Sequence, residues 1–181
     1  MPTTITTKKV RLSYAHVFEP VLAPGADTAK YSTCVLVDKK DKETLANIKQ
    51  ACEEAKKNGI SSVWNGKLPN GLHMPLRDGD EERPDDPNYA GKYFFNCSSK
   101  RKPGVVDIHL NAILDPEEVY SGCYARVNVN FYPYNSNGNR GIAVGLNHVQ
   151  KLADGERFGN VITAEAAFAD EADDDVDDLL S

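Results

Sequence analysis

Apolar and polar residues alternate almost without interruption between positions 122 and 134. Ala125, Val127, Val129 and Phe131 occupy one set of alternate positions, and Tyr124, Arg126, Asn128, Asn130 and Tyr132 the other. A strand turns successive side chains to opposite faces, so the pattern predicts a long strand with one face on a core and a second made of tyrosine, arginine and amide groups. That second face has two readings: flat rings beside a fixed cation suit stacked bases and phosphates, and an ordinary exposed strand also lets its tyrosines snorkel.

The same period of two recurs elsewhere. Residues 8–18 predict a first strand, with Val10, Leu12 and Tyr14 on one face and Lys9, Arg11 and Ser13 on the other. After a proline- and glycine-bearing loop at 19–29, residues 30–38 predict a second strand, and 92–98 a third that runs into Lys100, Arg101 and Lys102. Residues 105–110 are expected to return from that basic turn. The Asn- and Gly-rich residues 135–141 predict a turn, so 142–149 should fold back on the long strand as its hairpin partner.

One segment changes period. Leu45, Ile48, Cys52 and Ala55 follow spacings of three and four, predicting an amphipathic helix from 41 to 58 that stops at Gly59 and caps the sheet. Residues 60–90 read as irregular, and Phe158 as the last anchor of the body. Five or more strands with turn-rich connections and one helix predict a mainly β chain, a small antiparallel β-barrel with long loops.

Charge divides the 181 residues unequally. The formal net charge is −6, yet residues 165–181 hold eight acidic residues and no Lys or Arg, leaving 19 acids against 21 bases in residues 1–164, a body near +2. Two parts follow: a nucleic-acid-binding domain at 1–164 and an acidic, flexible C-terminal tail at 165–181. Like charges keep such a tail extended and solvated, able to imitate a nucleic-acid strand. Asp173, Asp174, Asp175, Asp177 and Asp178 supply the charge, and Leu179 and Leu180 a short apolar anchor for a partner's pocket. The N-terminus lacks the apolar run of a signal peptide and no stretch is long enough to span a membrane, so an intracellular, soluble protein with no membrane partner is expected. Cys34, Cys52, Cys97 and Cys123 form no Cys-x-x-Cys pair and read as buried thiols rather than zinc ligands or disulfides.

Rings and cations together suit a single strand of nucleic acid. Tyr93, Phe94, Tyr124, Tyr132 and Tyr134 are the candidate stacking residues, with Trp64 a further one on a loop. Lys9, Arg11, Lys100, Arg101, Lys102, Arg126 and Arg140 are the candidate phosphate contacts.

Four stretches also carry a family resemblance: residues 11–20 (RLSYAHVFEP), 93–99 (YFFNCSS), 120–124 (YSGCY) continuing to 131–134 (FYPY), and 141–151 (GIAVGLNHVQK). Together they span nearly the whole body, and with the acidic tail they resemble a family of tailed-bacteriophage and prophage single-stranded DNA-binding proteins. The resemblance implies an OB-fold core with a helix and long loops. It also implies a non-catalytic role without cofactor or metal, coating single-stranded DNA in phage replication, recombination and repair in the host cytoplasm. Its acidic tail would recruit replication proteins such as a polymerase, helicase-primase or nuclease. Room is left for a homodimer.

Two other classes compete. A metal-dependent nuclease would draw on Asp78, Asp80, Glu81 or Glu82 with Asp107 or His109, although their spacing matches no known ligand frame. A virion or assembly protein would use the tail for contacts and show no preference for single strands.

Overall fold

The structure, a computed structural model, describes residues 3–22, 24–136 and 138–158. The expected tail at 165–181, including Asp173 to Asp175, Asp177, Asp178, Leu179 and Leu180, lies outside the described residues. In chain order the described elements are β1 (Thr4–Thr6), β2 (Val10–Val21), β3 (Lys30–Asp38), α1 (Lys42–Ser62), β4 (Arg77–Asp78), α2 (Gly79–Glu82), β5 (Lys92–Ser99), β6 (Gly104–Val106), a 3-10 turn (Pro116–Glu118), β7 (Tyr124–Ser136) and β8 (Asn139–Ala153). Among the described residues no helix is long and apolar enough to cross a membrane.

The alternation singled out above is β7. Ala125, Val127, Val129 and Phe131 are all buried, and each position between them is at least partly accessible. β7 pairs antiparallel with β8 along its whole length, with β2 at Val10 and Arg11, and with β1 at Thr4 to Thr6. β2 continues to β3, β3 to β5, and β5 to β8. The strands therefore close a five-membered ring, β2-β3-β5-β8-β7 and back to β2, as an OB-fold requires. Inside it lie Leu12, Val17, Val35, Val37, Phe95 and the apolar side of β7. The Phe95 and Phe131 rings meet at 6.2 Å.

Two pairings depart from the antiparallel expectation. β5 meets β8 in parallel at a single bridge, Ser98 to Gly145, and β6 runs parallel to β8 from Gly104 to Val106. The returning strand is accordingly three residues long and is not the hairpin partner of β5. It is followed by Asp107, whose carboxylate accepts from the backbone N–H groups of His109 (2.8 Å) and Asn111 (3.0 Å) and winds the chain into a turn. The β7–β8 turn is also tighter than expected, because Ser136 and Asn139 already pair with each other.

β2 is irregular. A register shift between Ser13 and His16 turns Tyr14 out of the face it was expected to share with Val10 and Leu12. Tyr14 adopts a left-handed backbone (φ 49°) and leaves 58% of its surface exposed. That conformation costs about 1–2 kcal/mol for a residue with a Cβ.

Helix α1 begins where expected, with the Asp41 carboxylate accepting from the Thr44 N–H at 3.1 Å. Leu45, Ile48, Cys52 and Ala55 are buried, the stripe the spacing predicts, and the helix lies against β7. It does not stop at Gly59. The Trp64 ring and Pro133 press on that position so closely that a Cβ would sit 2.5 Å from the ring, so glycine makes room here rather than ending the helix.

Candidate nucleic-acid interface

Because Val35, Val37, Phe95 and Cys97 point into the ring, their neighbours must point out. β3 and β5 thus present an outer ladder of Ser32 beside Ser98, Cys34 beside Asn96, and Leu36 beside Phe94. In a five-stranded ring of the OB type, the outer face of the second and third ring strands, flanked by the loops joining strands one to two and four to five, is the usual surface for oligonucleotides. Here those are β3 and β5, the loop after β2 and the β7–β8 turn.

An open groove of about 920 Å³ runs over that face. Its floor takes in Ser32, Asn96 and Ser98. One wall is the hairpin tip with Tyr134, Ser136 and Asn139, and the other is the segment leading into β4, with His73, Met74 and, at the start of that strand, Arg77. The second wall is tied down: the His73 N–H donates to the Arg140 carbonyl and the Ile142 N–H to the His73 carbonyl, each at 3.0 Å. Trp64 steadies the first. It is buried, with its Nε1 donating to the Tyr134 carbonyl at 3.0 Å, so it backs the groove and cannot stack on a base, contrary to expectation.

The cations differ in what already engages them. Lys8, Lys39, Lys56, Arg77, Lys92 and Lys151 have carboxylate partners within 3.3 Å. Lys100, Arg101, Lys102 and Arg140 are exposed and have no such partner among the described residues. The first three follow directly on Ser98 and Ser99 at one end of the groove, and Arg140 sits on its wall strand. Tyr134 lines the groove, and Tyr132, 41% exposed, lies two residues from it on the same face of β7.

The remaining candidates lie elsewhere. Arg11 is occupied: its Nε donates to the Gly122 carbonyl (2.9 Å), its Nη2 to the Glu156 carbonyl (2.6 Å), and its guanidinium lies 4.3 Å from the Phe158 ring. It holds the segment following β8 against the body rather than offering itself to phosphate. Tyr124 shares this cluster, with Lys9 4.5 Å and Arg11 5.2 Å from its ring. Arg126 is exposed, with its Nε on the Thr7 carbonyl. Phe94 is buried against Tyr89 (5.1 Å, edge to face) in a small core with Cys34, Leu36 and Phe158, which removes its face from stacking. Tyr93 is half-buried against the main core, with Lys39 5.1 Å from its ring.

Sequence reasoning missed Tyr14, Ser32, His73, Arg77, Asn96 and Ser98 as site residues. Tyr14, Ser32 and Asn96 also line a smaller pocket of about 240 Å³, with Arg83 at its rim and Tyr89 and Phe94 below. Burial pushes the Cys34 thiol up to about 11 and the Tyr89 hydroxyl up to about 12, so this floor stays uncharged near neutral pH.

Four of the six nuclease candidates are engaged otherwise. Lys39 pairs with both Asp78 and Asp80 at 2.7 Å, Arg77 pairs with Glu82, and Asp107 caps its own turn. Hydrogen bonding to Lys39 holds both Asp78 and Asp80 below the usual carboxylate range. Among the described residues no three His, Cys, Asp or Glu side chains converge as metal ligands would.

Comparison with known proteins matches this architecture. The family model for the single-stranded DNA-binding protein of Enterobacter phage Enc34 covers residues 3–180. The chain is 31% identical over 169 residues to the p50 protein of Acyrthosiphon pisum secondary endosymbiont phage 1, covering 89% of this chain and 90% of that one. Its fold superposes on the bacteriophage Enc34 single-stranded DNA-binding protein in complex with ssDNA with a TM-score of 0.77 and 25% identity, over 87% of this chain and 90% of that one. It shares the fold of gp2.5, a single-stranded DNA-binding protein of bacteriophage T7, with a TM-score of 0.62 and 20% identity over 94% and 95% of the two chains. The chain belongs to the Enc34 family of phage single-stranded DNA-binding proteins.

Proposed function

We propose that the protein binds single-stranded DNA without catalysis, laying the strand along the outer face of β3 and β5. There it coats DNA during phage replication, recombination and repair in the host cytoplasm. The observation that carries this reading is the groove itself, open along the oligonucleotide face of a closed ring and lined by Tyr134, with Lys100, Arg101 and Lys102 following its floor residue Ser98 in the chain and Arg140 next to its wall residue Asn139, all four without carboxylate partners among the described residues. Tyr132 and Tyr134 stack on bases, while Lys100, Arg101, Lys102 and Arg140 neutralise phosphates, so affinity falls as salt rises.

The chain divides into a binding domain at 1–164 and an acidic arm at 165–181. The arm competes with DNA for the cationic groove, and once displaced it offers Leu179 and Leu180 to a replication protein such as a polymerase, helicase-primase or nuclease. Charge supports this: eight carboxylates follow a body near +2. So does the position of Phe158, which packs on the outer side chains Cys34, Leu36 and Phe94.

The test is a gel shift with single-stranded and duplex oligonucleotides of equal length, using the full chain and a chain lacking residues 169–181. Single strands should be preferred, and loss of the arm should tighten binding. Failure to bind either oligonucleotide at low ionic strength, with or without the arm, overturns the reading.

A further inference from the structure

Resting on that reading, the smaller pocket deepens it. Ser32 and Asn96 line both the groove and the pocket, so the pocket is a side chamber of the groove floor rather than a separate site. Its volume of about 240 Å³ suits one flat heterocycle. The buried rings of Phe94 and Tyr89 line it, and burial keeps the nearby thiol and phenol neutral. The Arg83 guanidinium stands at the rim, 5.6 Å from the Tyr89 ring, with no carboxylate in ion-pair range among the described residues.

Tyr14 gives this chamber its character. A regular β2 would turn this ring into the main core with Leu12. The register shift instead holds it outside in a left-handed conformation, 58% exposed and lining the chamber. Non-glycine residues kept in such a conformation cluster at ligand sites, because the rest of the fold must over-determine them. Across the chamber the exposed Asn96 amide offers both a donor and an acceptor, the pair needed to meet the edge of a base.

We propose that this chamber receives one nucleobase turned out of the bound strand. Tyr14 stacks on it, Asn96 hydrogen-bonds its edge, and Arg83 takes a neighbouring phosphate. Binding is then not wholly indifferent to base identity, because one base per bound protein meets a polar side chain.

The positive φ provides a clean variant. Tyr14→Gly removes the ring at a position glycine accepts freely, so thermal stability should hold or rise. Affinity for oligothymidine, measured by fluorescence anisotropy at fixed salt, should fall about 5- to 150-fold, the range that loss of one stacked base produces. The salt slope should not change. Wild-type protein should also distinguish oligothymidine from oligoadenine, and Asn96→Ala should shrink that ratio by roughly two- to tenfold, the worth of one hydrogen bond. If wild type binds oligothymidine and Tyr14→Gly binds it within twofold as well, the chamber takes no base, although the groove still holds DNA. Equal wild-type affinity for both homopolymers, or a ratio untouched by Asn96→Ala, removes the edge-reading role. Absence of binding by wild type itself would overturn the function rather than the chamber.

Discussion

The two ends of β7 carry the same kinds of side chain and are put to different uses. At its start, Tyr124 lies under Lys9 and Arg11, and Arg11 spends its hydrogen bonds on the Gly122 and Glu156 carbonyls. Near its end, roughly 30 Å away at the rise of an extended strand, Tyr134 lines a groove and Tyr132 is exposed, with Arg140 on the neighbouring strand. Composition does not separate these ends. What separates them is the chain that crosses each: Glu156 to Phe158 covers the first, and the second stays open. An arginine beside a tyrosine is available to a ligand only where no other part of the molecule has already claimed it.

Four substitutions can break or sharpen that contrast. Trp64→Ala empties a buried site behind the open end and should lower unfolding free energy by about 3–5 kcal/mol in a urea titration. Arg11→Ala at the covered end should cost about 1.5–3 kcal/mol of stability through its lost bonds to two carbonyls, while leaving the salt slope of DNA binding unchanged. A normal melting temperature with a reduced slope would instead make Arg11 a phosphate contact. Tyr132→Ala should do the opposite, weakening oligothymidine binding by about 1–3 kcal/mol with stability within about 0.5 kcal/mol of wild type. Unchanged affinity would take this ring out of the binding surface. Lys100→Ala has the smallest effect: the dependence of log affinity on log salt should flatten by about 0.7, the share of one phosphate contact on a single strand.

The strands and the helix were legible because each carries a period. β3 matches its expected bounds, and the apolar side of β7 is buried residue for residue. Connections were less legible. The parallel approach of β6 to β8 depends on where the chain goes after Pro103, and nothing in Gly104 to Val106 encodes a partner. The site was only half visible. Tyrosines and consecutive cations stand out in a sequence, but the groove floor consists of Ser32, Asn96 and Ser98, small polar residues that also populate any exposed strand. Tyr14 was assigned to the wrong face because a register shift resets the period of two, and Trp64 and Phe94 were taken for surface rings because burial is a property of the folded chain.

The backbone bonds joining His73 to Arg140 and Ile142 have a kinetic consequence. Both walls of the groove are fastened to the start of β8, so their separation is set before any ligand arrives. A cleft that need not assemble around its guest loses little freedom on capture, and the pace of capture is then governed by diffusional encounter and electrostatic attraction. Severing that fastening should therefore slow association more than it hastens release.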